Sequence, residues 1–104
     1  MAFKVELSEL ASMQYDKSLA HIYLMLKNPQ AADSLMQDFD DTVKMLEEQA
    51  DCFGYCRSER LRRLGFHKVH FKRHRYLLVY RVKDDRVIVE GMYHELQDYE
   101  NAIG

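Results

Sequence analysis

The spacing of apolar positions changes near the middle of this chain. Through the first half they recur every three or four residues, the period of a helix. Through the second half they recur every two, the period of a strand. Ahead of the helical part, Phe3-Lys-Val-Glu-Leu7 alternates, which predicts a short first strand with one buried face. Ser8 stands where a helix cap is needed, with Glu9 in the first turn to complement the dipole. Tyr15, Leu19, Ile22, Tyr23 and Leu26 then fall on one helical stripe, with Lys17 and His21 off it or at its edge. Asn28-Pro29 ends this helix and opens the next, because proline disfavours helix in the residue before it and suits the first helical position; Asn28 is the expected cap. Ala32, Leu35, Met36, Phe39, Val43 and Leu46 form a second stripe, opposite Asp33, Gln37, Asp40, Asp41, Lys44 and Glu48. Two helices joined by so tight a turn predict an antiparallel hairpin, with the Met and aromatic positions in the core.

Residues 51–65 fit neither period and read as a connecting loop between Gly54 and Gly65, with a helical turn around Glu59–Leu64. Phe66–Lys72 alternates, placing His67, Val69 and Phe71 on one face and Lys68, His70 and Lys72 on the other. Arg73-His74-Arg75 turns the chain into Tyr76–Val82, the most continuously apolar β-type run, which predicts a central strand buried on both faces. Asp84-Asp85 makes a tight hairpin. In the last strand Val87, Val89, Gly91 and Tyr93 are expected to face one way, and Ile88, Glu90, Met92 and His94 the other. Leu96, Tyr99 and Ile103 are expected to seat a short terminal helix. The whole predicts one α+β domain over residues 1–104: an N-terminal strand, a helical hairpin packed on an antiparallel sheet, three C-terminal strands and a short C-terminal helix.

Composition changes this picture through charge. The formal net charge of −2 hides a split: residues 1–51 have four basic and ten acidic side chains, while residues 57–86 have eleven basic and three acidic. The second half therefore predicts an anionic partner, although a solvated basic rim would carry the same charges. There is no charged segment followed by an apolar run of signal-peptide form and no stretch long enough to span a membrane, so a cytoplasmic protein with no membrane partner is expected. Cys52 and Cys56, with His67 and His70, are residue types of a zinc site. The two histidines point to opposite faces of one strand, which makes shared coordination awkward. Two unpaired thiols, with no metal and no cofactor, is the better reading.

Four passages together resemble a known family. Asn28-Pro-Gln-Ala-Ala32 opens the second helix, and Arg60-Leu-Arg62 with Gly65 precedes the second strand. Tyr76-Leu-Leu-Val-Tyr-Arg-Val82 fills the centre, and His94-Glu-Leu-Gln-Asp-Tyr-Glu100 closes the chain. In this order they resemble the RelE/ParE superfamily, the toxins of bacterial type II toxin–antitoxin modules. The resemblance implies growth inhibition, plasmid stabilisation and a cognate antitoxin lying in the toxin's grooves. It also implies one of two targets: DNA gyrase for ParE-like members, ribosome-bound mRNA for RelE-like ones.

RNA cleavage by the second route needs a base near the 2′-OH, a cation for the phosphorane and an acid for the leaving oxygen. RelE-like members place an arginine after the aromatic of the central strand, where this chain has Leu77, and a basic residue after the last strand, near Leu96 here. Arg75 or Arg81 could substitute, and His94 has a suitable ring for acid–base work, although it could equally serve as a hydrogen-bonding or capping residue. A ribonuclease would therefore use His94, Arg81 and Arg75. The Asn-Pro-Gln-Ala-Ala opening and the Asp98-Tyr99-Glu100 ending favour ParE-like wording, hence gyrase inhibition without catalysis. For target or antitoxin binding the candidates are Arg60, Arg62, Arg63, Lys68, Lys72, Arg73 and Arg75. A non-toxic nucleic-acid-binding module is the remaining alternative.

Overall fold

A computed structural model describes residues 3–103. Four strands, β1 (Lys4–Leu7), β2 (Phe66–His70), β3 (Tyr76–Lys83) and β4 (Arg86–His94), form one open sheet in the order β1-β4-β3-β2. The last three pair antiparallel, while β1 runs parallel to β4, so the sheet is mixed. Helix α1 (Glu9–Ala20) continues into a π-helical turn over His21–Met25 and is followed by α2 (Pro29–Gln49). Two short helices, α3 (Glu59–Arg63) and α4 (Tyr99–Ala102), complete the fold.

The two long helices start where local chemistry starts them. The Ser8 hydroxyl accepts the N–H of Ala11 at 3.0 Å and donates to the carbonyl of Glu90 at 3.1 Å, so one side chain both caps α1 and ties it to β4. The side chain of Asn28 accepts the N–H of Ala31 at 3.1 Å, and Pro29 occupies the first turn of α2. Both stripes supply the core. Tyr15 stacks on Phe39 with centroids 3.9 Å apart, and Leu35, Leu46, Leu78 and Tyr80 are fully buried between hairpin and sheet. Each such side chain contributes about 1.5–3 kcal/mol.

The end of the first stripe departs from expectation. Tyr23 and Leu26 are 56% and 61% exposed: the π-helical turn over His21–Met25 breaks the 3.6-residue repeat, so the buried stripe is not continued through them. Met36 on α2 faces the same open end and is 45% exposed.

Strand β3 is buried on both faces. Tyr76, Leu78, Tyr80 and Val82 pack towards the hairpin. Leu77 and Val79 enter a second core with Cys56, Leu61, Phe66 and Tyr93, covered by Tyr99 and Ile103. The strict alternation expected for β4 fails. Val79 pairs with Gly91 and Tyr80 with Val89, leaving Glu90 as an extra residue in a bulge. Val87 and Val89 therefore join Met92 in the hairpin-side core, while Tyr93 turns to the second. Asp84, at φ 58°, makes the expected tight hairpin into β4. Leu96 is 80% exposed and seats nothing: the turn after His94 carries it outward before α4 begins at Tyr99.

Candidate functional site

The basic residues of the second half do not form one cluster. Lys72, Arg73 and Arg75 sit in the turn between β2 and β3, held by Asp38 of α2. That carboxylate is fully buried and accepts the backbone N–H of Arg73 at 2.9 Å, that of Lys72 at 3.3 Å and the Nδ1–H of His74 at 2.8 Å. Burial pushes its pKa up, but the hydrogen bonds from His74, Arg73 and Lys72 outweigh this and hold it below the usual carboxylate range. The turn thus presents its cations outward. Arg73 also pairs with Asp41 at 3.3 Å, while Lys72 and Arg75 have no ion-pair partner among the described residues. Asp38 was not a sequence candidate. It could have been found from Leu35, Asp38, Thr42 and Leu46, a helical stripe that is buried throughout.

Arg60, Arg62, Arg63 and Lys68 lie around α3 and the second core. Arg60 donates to the carbonyls of Glu100 and Ile103 at 3.0 and 2.8 Å, closing the C-terminal end of α4. Arg63 pairs with Glu59 one turn away, and Lys68 reaches the Tyr99 hydroxyl at 3.5 Å. Arg62 is exposed and free of ion pairs among the described residues.

The three conditional ribonuclease residues are not brought together. Arg81 pairs with Glu90 through two hydrogen bonds of 3.0 and 2.6 Å, and its guanidinium lies 4.9 Å from the centre of the Phe66 ring. It stands five residues along β3 from Tyr76, roughly 16 Å away, and on the opposite face. His94 lies on the hairpin side, edge-on to Tyr76 with centroids 5.2 Å apart. Its Nδ1 accepts the N–H of Leu96 at 3.1 Å, the capping role. Arg75 is at the same end of the sheet, its carbonyl accepting the N–H of Glu95. Leu77, where a RelE-like enzyme keeps arginine, points into the second core and is 1% exposed.

His67 and His70 also diverge. The Nδ1–H of His67 donates to the carbonyl of Phe53 at 2.9 Å, and its ring is stacked between Tyr55 and Tyr80, while His70 pairs with Glu95 at 2.8 Å. Cys56 is buried, which pushes its thiol pKa up, and Cys52 is exposed. No three His, Cys, Asp or Glu side chains among the described residues are placed to hold a metal.

Two concave surfaces flank the hairpin. A cleft of about 360 Å³ lies between α1 and the end of β4, lined among others by Gln14, Lys17, His21, Tyr76, His94 and Gln97. A largely apolar groove of about 330 Å³ lies between α1 and α2 at the open end, lined among others by Leu19, Tyr23, Leu24, Ala32 and Met36, and also by Asp33. With Met25 and Leu26 also exposed, this end displays more clustered apolar surface than a solvated hairpin requires. No helix among the described residues is long and apolar enough to cross a membrane.

Residues 5–99 match the model of the ParE toxin of the type II toxin–antitoxin system parDE. No curated protein matches the chain. Among solved structures it is similar to a chain of the chromosomal ParDE system from P. aeruginosa, at 22% identity with a TM-score of 0.72, covering 89% of this chain and 96% of that one. That likeness shows the fold, an α+β arrangement of hairpin and open sheet. With nearly the whole length matched by the family model, the chain belongs to the ParE toxin family of type II toxin–antitoxin systems.

Proposed function

We propose that this toxin acts in the cytoplasm by binding DNA gyrase, without catalysis, and that its antitoxin covers the apolar end of the helical hairpin. One observation carries the first part. The sheet face on which a RelE-like ribonuclease would keep its central cation is a packed apolar core here, with Leu77 between Phe66, Val79 and Tyr93. His94 lies on the other face and uses its Nδ1 for the backbone of Leu96. Leu77 and His94 thus lie on opposite faces of the sheet, and Arg81 stands far along β3 from His94, which supports the non-catalytic reading. An inhibitor that works by binding needs only surface.

Two surfaces serve that purpose. The groove between α1 and α2 accepts an amphipathic helix, the form in which a partner delivers apolar residues at i, i+3 and i+4. The β2–β3 turn supplies Lys72, Arg73 and Arg75 on a rigid support for an acidic surface of gyrase or of the antitoxin. Arg62 is a further cation with no ion-pair partner among the described residues; Arg60, Arg63 and Lys68 have internal partners and contribute less.

The test is to express the chain and read two endpoints. Growth arrest with intact transcripts, induced DNA damage and lost supercoiling by purified gyrase is the expected result. Transcripts cut within codons while supercoiling stays normal would replace this reading by the mRNA endoribonuclease one.

A further inference from the structure

We propose that the cleft between α1 and the end of β4 binds a phosphate oxyanion. Its polar atoms are arranged so that donors, not acceptors, are left over. The side-chain oxygen of Gln14 accepts the N–H of Met92 at 2.8 Å, and that of Gln97 accepts the N–H of His94 at 2.7 Å. A backbone N–H can only donate, so it decides which end of each amide is oxygen and leaves both –NH₂ ends as free donors. The same logic holds for His94. Its Nδ1 lone pair is occupied by the N–H of Leu96, so the neutral ring carries its proton on Nε2 and is a donor there.

Lys17 adds a full positive charge, with no ion-pair partner among the described residues. Ser18, whose hydroxyl donates to the Gln14 carbonyl, His21 at the start of the π-helical turn, Tyr76 and Met92 complete the lining, and no Asp or Glu is among the residues that form it. Donors with a cation and no carboxylate complement a group that only accepts. They come from α1, from β3 and β4, and from the turn after β4. That spread suits a tetrahedral group with four oxygens better than a planar carboxylate. The volume of about 360 Å³ exceeds a phosphate alone, and Tyr76 and Met92 offer apolar surface beside it. Free phosphate and the phosphate of a nucleotide share this chemistry. The site lies across the sheet from Leu77 and is independent of how the toxin acts on its target.

Histidine ring NMR at fixed pH and ionic strength tests it, with inorganic phosphate as the first probe. The His21 and His94 signals are expected to shift saturably, while those of His70 and His74, which have carboxylate partners elsewhere, stay in place. AMP is the second probe: tighter binding than phosphate identifies a nucleotide phosphate as the source, and equal binding identifies the free ion, both upholding the site. Gln14→Glu keeps the oxygen that accepts from Met92 and turns the donor end into an acceptor. It should weaken phosphate at least about tenfold, as a charge-assisted contact made repulsive. Lys17→Gln, on the exposed face of α1, should weaken it several-fold without affecting the fold. No saturable shift, equal response to acetate, or unchanged affinity in both variants overturns the proposal.

Discussion

Asp38 in the middle of α2 and His74 in the β2–β3 turn meet at 2.8 Å, the carboxylate fully buried and the imidazole at its edge. This contact, with two backbone N–H groups of the same turn, ties the hairpin to the loop that presents Lys72, Arg73 and Arg75. Replacing Asp38 by Ala leaves three donors without a partner at a buried site. The expected loss is about 2–4 kcal/mol in chemical denaturation, with Asn costing less because it keeps one acceptor.

The same pair sets a pH dependence. Folding holds the Asp38 carboxyl below its usual range, so the folded state favours the ionised form. Its contribution is full above the unfolded value of about 4 and is lost as pH falls through the lower folded value. The melting-temperature gap between wild type and Asp38→Asn should therefore be wide at neutral pH and narrow in acid. A gap that widens in acid would contradict the assignment.

At the alkaline end the tyrosines reverse the sign. Burial, with Asp40 and Asp16 nearby, pushes Tyr15 up to about 12. Burial raises Tyr80 further, and its hydroxyl donates to the Ala50 carbonyl at 2.6 Å. A raised value means that folding favours the neutral phenol. This stability is present below the unfolded value of about 10 and disappears as pH rises through the folded one. Tyrosinate absorbance should show Tyr15 and Tyr80 titrating only as the protein unfolds. Tyr80→Phe should cost about 1–2 kcal/mol, because the buried Ala50 carbonyl loses its donor.

Gly91 is required by one ring. A Cβ there would stand 2.5 Å from the aromatic edge of Tyr93, next to the bulge that turns Tyr93 into the second core. Gly91→Ala should destabilise by about 1–3 kcal/mol through overpacking. Combining it with Tyr93→Leu should cost less than the two single changes added together, which a double-mutant cycle measures.

Leu77→Arg restores the side chain that a RelE-like enzyme has on its central strand. Here the guanidinium would enter a core of Phe66, Val79 and Tyr93, with a cost of several kcal/mol and no gain in RNA cleavage. A stable Leu77→Arg protein that cuts transcripts would sink the non-catalytic reading.

Tyr23→Asp with Leu24→Asp should leave the melting temperature within a few degrees, since both residues are exposed. Binding to the antitoxin should fall at least about tenfold in a titration, the effect of charging an apolar docking surface. Unchanged binding would place the antitoxin elsewhere.

Much of this architecture was legible in the order of residues. Ser8, Asn28 and Pro29 start helices by contacts within three residues, and Asp84 turns a hairpin by its own backbone geometry. The stripes of α1 and α2 and the double burial of β3 come from periods of 3.6 and 2 that need no knowledge of partners. Two of the four passages that carry the resemblance, the opening of α2 and the central strand, lie on these same elements.

What the sequence could not determine was set by contacts between distant residues. The bulge at Glu90 depends on how β4 registers against β3, and one extra residue there reversed the face expected for Tyr93. The π-helical turn over His21–Met25 broke the helical repeat and left Tyr23 and Leu26 exposed. Charge misled in the same way: a local run of cations was split between two faces, some capping α4, some held outward by a carboxylate more than thirty residues earlier. Local hydrogen bonds and periodicity act along the chain and can be read from it. Register, bulges and the partners of buried charges arise only when segments far apart in sequence compete for the same space.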